Sequence, residues 1–491
     1  MIKKRKASYV KIFVLGFFLL SLSAGTIFLM SSGTFGEQHP MLKAAPLNPE
    51  FVSYLKDREM GKSWVQYTAS GHPLGLLPGP LDLSQLQSLP ANDSIDYALP
   101  ATYDLRTKNK LTSVKNQGQC GSCWSFATYG SLESFLKPGA TWDFSEQNLI
   151  DHHGFDWGPC EGGNNWLSTA YLARWAGPIN ETDDPYVHSP VDGLTPKKHV
   201  QNVIWLPPRS SSTDNTKIKN AVMTYGAVYV SMYWVDSCYN STNKAYYNPS
   251  TQQGGHAVAI VGWNDNFAKT KFNTAPAGNG AFIVKNSWGS IWGEKGYFYA
   301  SYYDGFFGKK SYNCVFKGEP TTNYKTNYGY DDLGWVNSIG FTSPKSTTAW
   351  FANIFTASAN GSLKAVSFYA GSTSSNVYEI TIYTNVSANK PTSGKKAATK
   401  KGTITSCGYY TIPLSSFPAI KKGQKFSAVV KLTTKGLYYQ IPVEYPISNF
   451  SSKAKAKSGQ SFVSQNGSTW YDLCTAFKAN TNACVKAFTK Y

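Results

Sequence analysis

Two cysteines near residue 120 have the spacing most suggestive of chemistry. Residues 117–127 have the sequence QGQCGSCWSFA, in which Cys120 and Cys123 are separated by two residues. Such a pair is compatible with a redox dithiol, half of a zinc site or a nucleophilic thiol. A zinc site needs a second Cys or His pair at ligand spacing, which the adjacent His152 and His153 do not supply easily. A redox dithiol is expected in a βαβ setting, whereas the residues before Cys120 are polar and loop-like.

The nucleophile interpretation is favoured because candidate partners for the thiol are present. Cys123 begins a predicted helix over residues 122–136, whose N-terminal dipole favours thiolate over thiol. His256 lies 133 residues later and opens the apolar strand HAVAIVGW, so its imidazole can accept the thiol proton and return it to a leaving amine. Asn286 ends another apolar segment and can orient that imidazole. The Gln117 amide, with the backbone N–H of Cys123, can form an oxyanion hole.

Four blocks in the same order resemble the papain family of cysteine peptidases over about residues 99–320. The blocks are PATYDLRTKNKLTSVKNQGQCGSCWSFA, GPCEGGNN, GGHAVAIVGW and KNSWGSIWGEKGYF. A lone cysteine or histidine would more often be structural, and the combination of blocks reverses that expectation. The resemblance implies the following catalytic roles: Cys123 as nucleophile, His256 as acid and base, Asn286 as its orienting partner and Gln117 as oxyanion donor.

The same resemblance implies further site residues. Trp288 would shield the hydrogen bond between the asparagine and the histidine, and Gly162 with Gly163 would present backbone groups to an extended substrate. Cys120 would form a disulfide with Cys160. The alternative for the two glycines is a tight turn with no substrate contact. The sequence does not fix the pairing of the other cysteines.

The composition changes along the chain and predicts several units. Residues 37–98 contain many prolines and no long periodic helix, which indicates a pro-segment or linker. Residues 99–320 alternate helical stretches, at 122–136 and 165–175, with apolar strands that include 281–285, and this pattern indicates an α+β organisation. The resemblance implies that it forms a helical lobe and a β-barrel lobe. Residues 321–491 show short alternating strands, among them 365–369, 378–384 and 426–432, that predict an all-β sandwich. Their strand pattern resembles the lectin-like domain found behind some bacterial and archaeal papain-type peptidases.

The first 36 residues have the pattern of an export segment. A basic head, with Lys3, Lys4, Arg5 and Lys6, precedes an uncharged apolar stretch over residues 12–30 and a small polar stretch. The apolar stretch is longer than that of a usual signal peptide and approaches the length that spans a bilayer. We therefore expect either a cleaved signal or a retained membrane anchor, and in both cases a secreted or cell-surface location where disulfides persist.

The charge of the chain is concentrated at its C-terminal end. The 491 residues carry a formal net charge of +18, and residues 321–491 contain 19 lysines, no arginine and five acidic residues, a net charge of +14. A nucleic-acid-binding enzyme is disfavoured because the middle of the chain, where the chemistry lies, is nearly neutral. The lysine-rich end can attract anionic envelope polymers, or it can simply be a solvated surface.

These patterns predict an exported cysteine endopeptidase that acts through an acyl-enzyme and needs no metal or other cofactor. Its partners would be protein or peptide substrates and, through the C-terminal domain, an envelope polymer or glycan. We expect a monomer. Two alternatives stay open: a surface adhesin that keeps the peptidase unit as a scaffold, and a cell-wall peptide amidase or transpeptidase that uses the same Cys-His pair.

Overall fold

The computed structural model describes residues 42–82, 99–187, 189–251, 255–311 and 313–490. The predicted export segment, residues 1–36, lies outside the described residues. Within the described ranges no helix combines the length and the apolar character needed to cross a membrane.

The described part of the chain contains six α-helices and 26 β-strands. The helices are α1 (Pro49–Glu59), α2 (Cys123–Leu136), α3 (Glu146–His152), α4 (Asn165–Ala173), α5 (Thr216–Tyr225) and α6 (Leu473–Ala476). The first strands are β1 (Leu42–Ala44), β2 (Gln66–Tyr67), β3 (Pro73–Leu74), β4 (Thr102–Asp104), β5 (His199–Leu206), β6 (Val228–Met232), β7 (Tyr239–Asn240), β8 (Ala245–Tyr246), β9 (His256–Asn264), β10 (Ala281–Lys285), β11 (Tyr297–Ser301) and β12 (Asn313–Glu319). The remaining strands are β13 (Thr326–Tyr328), β14 (Asn337–Phe341), β15 (Thr348–Thr356), β16 (Gly361–Ala370), β17 (Asn376–Thr384), β18 (Lys395–Ile404), β19 (Cys407–Pro413), β20 (Ala419–Ile420), β21 (Lys425–Thr434), β22 (Ile441–Glu444), β23 (Ser461–Ser464), β24 (Tyr471–Asp472), β25 (Asn482–Ala483) and β26 (Val485–Lys490).

The helical lobe is built around α2, which is buried on almost every side. Its sequence, CWSFATYGSLESFL, mixes large rings with small residues, so neighbouring elements can approach the helix closely. Helix α4 begins where the Asn164 side chain accepts the backbone N–H groups of Trp166 and Leu167, as an N-cap does. Both helices lie where the sequence predicts them, although α4 ends at Ala173, two residues before the predicted end.

The second lobe is an antiparallel β-structure that presents the histidine strand. Strand β9 pairs with β6 on one side, where Met232 is opposite His256, and with β10 on the other. Because β9 is buried on both faces, its sequence is a continuous apolar run rather than an alternating one. Asn286 directly follows β10, so the two strand ends that carry His256 and Asn286 are held side by side by the sheet.

The C-terminal unit is all β, as predicted. One layer is a six-stranded sheet in the order β18-β17-β21-β15-β23-β24. Strands β13, β26, β16 and β19 form another layer, and buried side chains of both layers belong to one hydrophobic cluster. The predicted strands 365–369, 378–384 and 426–432 lie within β16, β17 and β21.

The two folded units share one β-sheet. Strand β5 pairs with β12 on one edge and with β19 on the other, so Trp205 lies opposite both Cys314 and Cys407. The resulting fourteen-stranded sheet runs from the barrel lobe into the C-terminal unit. Backbone hydrogen bonds, rather than a tether, therefore fix the C-terminal unit against the peptidase-like lobes.

The described part of residues 37–98, predicted to be a pro-segment or linker without a long periodic helix, is folded and contains the 11-residue helix α1. Helix α1 starts with Asn48 as N-cap and Pro49 at its first position, an arrangement compatible with a proline-rich sequence. Phe51 and Tyr54 on α1 are buried, and Phe51 packs edge-on against Phe450 of the C-terminal unit at 4.8 Å between ring centroids.

Candidate active site

The Cys123 sulfur lies against the backbone on both sides of His256. Cys123 is the first residue of α2, and His256 is the first residue of β9. The Cys123 Sγ accepts the backbone N–H of Ala257 at 3.3 Å and lies 3.9 Å from the carbonyl oxygen of Gly255. The sulfur is thus in contact with both chain neighbours of His256, and both side chains are fully buried.

Asn286 fixes the orientation of the His256 ring. The Oδ1 of Asn286 lies 2.8 Å from His256 Nε2 and also accepts the backbone N–H of Ser287 at 2.8 Å. An acceptor at this position assigns the proton to Nε2, which leaves Nδ1 as the basic nitrogen. Among the described residues Nδ1 has no hydrogen-bond partner, so it is available to the thiol proton. Trp288, which the resemblance assigns to shield this hydrogen bond, stacks on the ring at 4.8 Å between centroids.

The Gln117 side chain is held between two elements of the site. Its Oε1 accepts the Ser287 hydroxyl at 2.7 Å, and its backbone N–H donates to the Ser287 carbonyl at 2.8 Å. Its Nε2 donates to the carbonyl oxygens of Cys120, at 2.9 Å, and of Pro73, at 3.1 Å. The donor that the sequence assigns to an oxyanion is therefore occupied here by a carbonyl of the pro-segment.

Residues 75–77, in the segment predicted to be a pro-segment or linker, run beside the thiol as an extended chain. The Gly163 N–H donates to Gly75 at 2.9 Å, and the Gly163 carbonyl accepts from Leu77 at 2.9 Å. The Leu76 N–H donates to the carbonyl of Gly255 at 2.7 Å. Gly162, at φ 96°, adopts a conformation that favours glycine. Gly163 thus makes two backbone hydrogen bonds to an extended chain.

Burial keeps both catalytic candidates neutral in this covered form. Burial raises the pKa of the Cys123 thiol to about 11, although neighbouring backbone N–H groups oppose the shift. Burial also lowers the pKa of His256 to about 4, against the effect of its Asn286 hydrogen bond. The thiolate expected at neutral pH is therefore not the stable form while the cleft is filled.

The sequence analysis missed three pro-segment residues that contact the site. His72 stacks on Trp288 at 4.4 Å between centroids, on the same indole that stacks on His256. The Pro73 carbonyl reaches Gln117, and a side chain at Gly75 would overlap the carbonyl oxygen of Gly121. The signal in the sequence was a glycine between apolar residues in HPLGLLP, which marks a close approach of two backbones as well as a turn.

The cysteines divide into one disulfide and six free thiols. Cys120 and Cys160 are joined, which ties the start of the nucleophile helix to the glycine loop. Cys238 and Cys314, for which a pairing was open, are both free. Within the described ranges no three His, Cys, Asp or Glu side chains are grouped closely enough to hold a metal ion.

A buried ionic cluster lies behind the site, between the lobes. Lys115 Nζ contacts Glu146 at 2.8 Å and Asp143 at 2.6 Å. Burial alone would lower the pKa of Lys115, but the carboxylates of Glu146 and Glu133 raise it well above its ordinary value. Lys285, next to Asn286 in the chain, belongs to the same cluster. The cluster thus connects the nucleophile helix to the end of β10.

The chain matches two protein families over most of its length. The Papain family cysteine protease profile matches residues 99–317, and the Lectin like domain profile matches residues 327–489. A cathepsin L-like peptidase of Aedes aegypti is 32% identical over 227 residues, which cover 42% of this chain and 59% of that protein. Procathepsin L of Mus musculus is 34% identical over 214 residues, 40% of this chain and 59% of that protein. The chain thus spans 59% of the length of these curated relatives.

Two solved structures match this chain over most of its length. The crystal structure of the cysteine protease and lectin-like domains of Cwp84, a surface layer associated protein of Clostridium difficile, superimposes with a TM-score of 0.75 at 26% identity. That match covers 91% of this chain and 98% of the other. A structure of clostridial Cwp84 after propeptide cleavage gives a TM-score of 0.69 at 28% identity, over 79% of this chain and 99% of the other. Residues 99–317 therefore belong to the papain family of cysteine proteases, and a lectin-like domain follows them.

Proposed function

We propose that the chain is an exported cysteine endopeptidase whose catalytic residues are Cys123, His256, Asn286 and Gln117. The observation that carries this proposal is the position of the Cys123 sulfur against both neighbours of His256, with Asn286 bonded to the far nitrogen of the ring. Export is supported by the pattern of residues 1–36 and by the likeness to a surface layer associated protein.

The reaction follows from the atoms present once the cleft is open. His256 Nδ1 takes the proton of the Cys123 thiol, and the sulfur forms a bond to the substrate carbonyl carbon while the carbonyl electron pair moves to oxygen. The Gln117 Nε2–H and the backbone N–H of Cys123 stabilise that oxyanion. The carbon–nitrogen bond then breaks, and the imidazolium protonates the leaving amine. Water, deprotonated by His256, hydrolyses the remaining thioester and restores the thiol.

Residues 37–98 serve in this proposal as an inhibitory pro-segment. Three contacts support this role: the Pro73 carbonyl on the oxyanion donor, the backbone pairing of Gly75 and Leu77 with Gly163, and the stack of His72 on Trp288. Together they fill the place of a substrate and bury the thiol. Activity then requires that this segment leave the cleft.

The substrate in this proposal is an extended polypeptide. Gly163 offers one donor and one acceptor to a chain in the groove, in the manner of a β-strand partner. A cavity of about 390 Å³ adjoins this position, with Leu76, Trp166, Tyr229 and Lys310 among its walls. It is large enough for one side chain of the substrate. The lectin-like domain would attach the enzyme to a glycan or another envelope polymer, which its family match and its net charge of +14 support.

The test separates proteolysis from the alternatives. The processed chain and its Cys123→Ala variant are incubated with a peptide library and with purified cell wall, and the products are identified by mass spectrometry. We expect new peptide termini from the library with the native chain and none with the variant. The absence of products from both chains would favour the adhesin alternative. Products confined to wall peptides, or products with newly formed peptide bonds, would favour the amidase or transpeptidase.

A further inference from the structure

The lectin-like domain holds the start of the pro-segment as an added β-strand. Strand β1 pairs antiparallel with β14, with Leu42 opposite Phe341 and Ala44 opposite Ile339. The pairing continues beyond β1, because the Ala45 N–H donates to the carbonyl of Ser338 at 2.8 Å.

Departure of the pro-segment would leave β14 as an open sheet edge. The order of this sheet is β1-β14-β22-β25, so β1 is the partner on that side of β14. The occupant of the edge is an extended chain whose side chains alternate: Leu42 and Ala44 pack against the hydrophobic core, whereas Lys43 is exposed. A strand edge with unpaired backbone groups, next to an apolar surface that contacts alternate side chains, is suited to bind another extended polypeptide.

The β14 edge is continuous with the catalytic cleft. The Asn48 N–H, at the end of the segment that follows β1, donates to the carbonyl of Pro80 at 3.0 Å. Pro80 lies only three residues beyond Leu77, which pairs with Gly163 beside the nucleophile. Three extended residues span roughly 10 Å. Three more residues separate Asn48 from Ala45, which bonds to β14, so a polypeptide in the cleft needs about six additional residues to reach the β14 edge.

The polarity of this path is also fixed by the pairing. Leu47 pairs antiparallel with Leu81. Residues 77–81 lead away from the cleft, so residues 42–48, which run in the opposite direction, lead toward it. A substrate that follows the same path would enter the cleft in the direction opposite to the pro-segment. The residues bound at β14 would then lie on the N-terminal side of the bond presented to Cys123.

We propose that β14, residues Asn337–Phe341 of the lectin-like domain, is an exosite for polypeptide substrates. It binds an extended stretch of the substrate, N-terminal to the cleaved bond, as an added β-strand, and it prefers apolar side chains at alternate positions. The lectin-like domain thereby contributes directly to substrate selection. This inference rests on the proposed proteolytic function of the cleft.

The test compares substrates that differ only in what they offer to β14. The enzyme is the full chain with a site-specific protease sequence placed before Leu99, cut after folding and freed of the pro-segment. The reference is a short quenched-fluorescence peptide that the enzyme cleaves. The second substrate carries residues 42–48, LKAAPLN, on its N-terminal side through a short Gly/Ser linker. The matched control carries the same extension with Ala45→Pro, which removes the N–H that donates to Ser338.

We expect the N-terminal extension to raise kcat/KM on the order of tenfold over the short peptide, because linked binding raises the effective concentration of the scissile segment. The kcat/KM of the Ala45→Pro control should stay near that of the short peptide. The same is expected of a substrate that carries the extension on its C-terminal side. The exosite is refuted if the kcat/KM values of all extended substrates lie within about twofold of the value for the short peptide. It is also refuted if the proline control or the C-terminal extension raises kcat/KM as much as the N-terminal extension does. Turnover of the short peptide itself reports on the proposed function, so the two failures are distinguishable.

Discussion

The contact between Phe51 and the lectin-like domain should control how often the cleft opens. Phe51 is fully buried and packs against Phe450 at 4.8 Å, so replacement by alanine removes a complete aromatic contact. Truncation of a buried Phe to Ala costs about 3 to 5 kcal/mol. If the pro-segment undocks as a unit, a loss of about 3 kcal/mol raises the undocked population on the order of 100-fold. Phe51→Ala should therefore expose the Cys123 thiol far more often.

The assay is the rate at which a thiol reagent labels Cys123 in chains that still carry the pro-segment, counted by intact-mass spectrometry. Tyr67→Ala is the matched control, because Tyr67 is an aromatic residue of the same segment that is 58% exposed. We expect labelling on the order of 100-fold faster for Phe51→Ala and nearly unchanged for Tyr67→Ala. Equal labelling of Phe51→Ala and the native chain, with an unchanged melting temperature, would refute the role of this contact.

Three further predictions concern the site and its support. Gln117→Ala should lower kcat of the processed chain by about 10²- to 10³-fold with little change in KM, because one oxyanion donor is lost. Lys115→Met leaves Glu146 buried without its cation and should lower the free energy of unfolding by about 3 to 5 kcal/mol in urea titrations. The control for this variant is Lys401→Met, at a lysine whose side chain is 70% exposed, and it should lower the free energy of unfolding by less than about 1 kcal/mol. Alkylation of Cys123 in the covered form should rise with pH toward its pKa of about 11, and removal of the pro-segment should move that rise to lower pH.

Three of the four proposed catalytic residues, Cys123, His256 and Asn286, lie at or next to the ends of regular elements, and this made them predictable from the sequence. The predicted helix 122–136 and the observed Cys123–Leu136 differ by one residue, and the predicted strand 281–285 coincides with β10. His256 precedes one apolar run and Asn286 follows another, and both runs can be recognised without knowledge of the fold. The four blocks that carry these residues occur in the order of the papain family, so the sequence was sufficient to propose them.

The pro-segment contacts and the shared sheet could not be predicted in this way. Residues 72–77 bind the cleft mainly through backbone groups. Backbone contacts do not depend on side-chain type, so the sequence of this proline- and glycine-containing stretch cannot be distinguished from that of a linker. Likewise β5 and β19 are joined by backbone hydrogen bonds between strands about 200 residues apart, and such pairing leaves little trace in side-chain patterns. The raised pKa of the Cys123 thiol in the covered form was not predicted for a related reason, because the burial of Cys123 depends partly on the contacts of that segment.

The most direct test of the account is the labelling of the chain by an epoxide-type thiol inhibitor before and after removal of residues 1–98. We predict one adduct per processed chain, mapped to Cys123, protection of that residue while the pro-segment is docked, and no adduct on processed Cys123→Ala. An adduct on the processed Cys123→Ala chain, or a processed native chain that stays unlabelled under reducing conditions, would contradict the account.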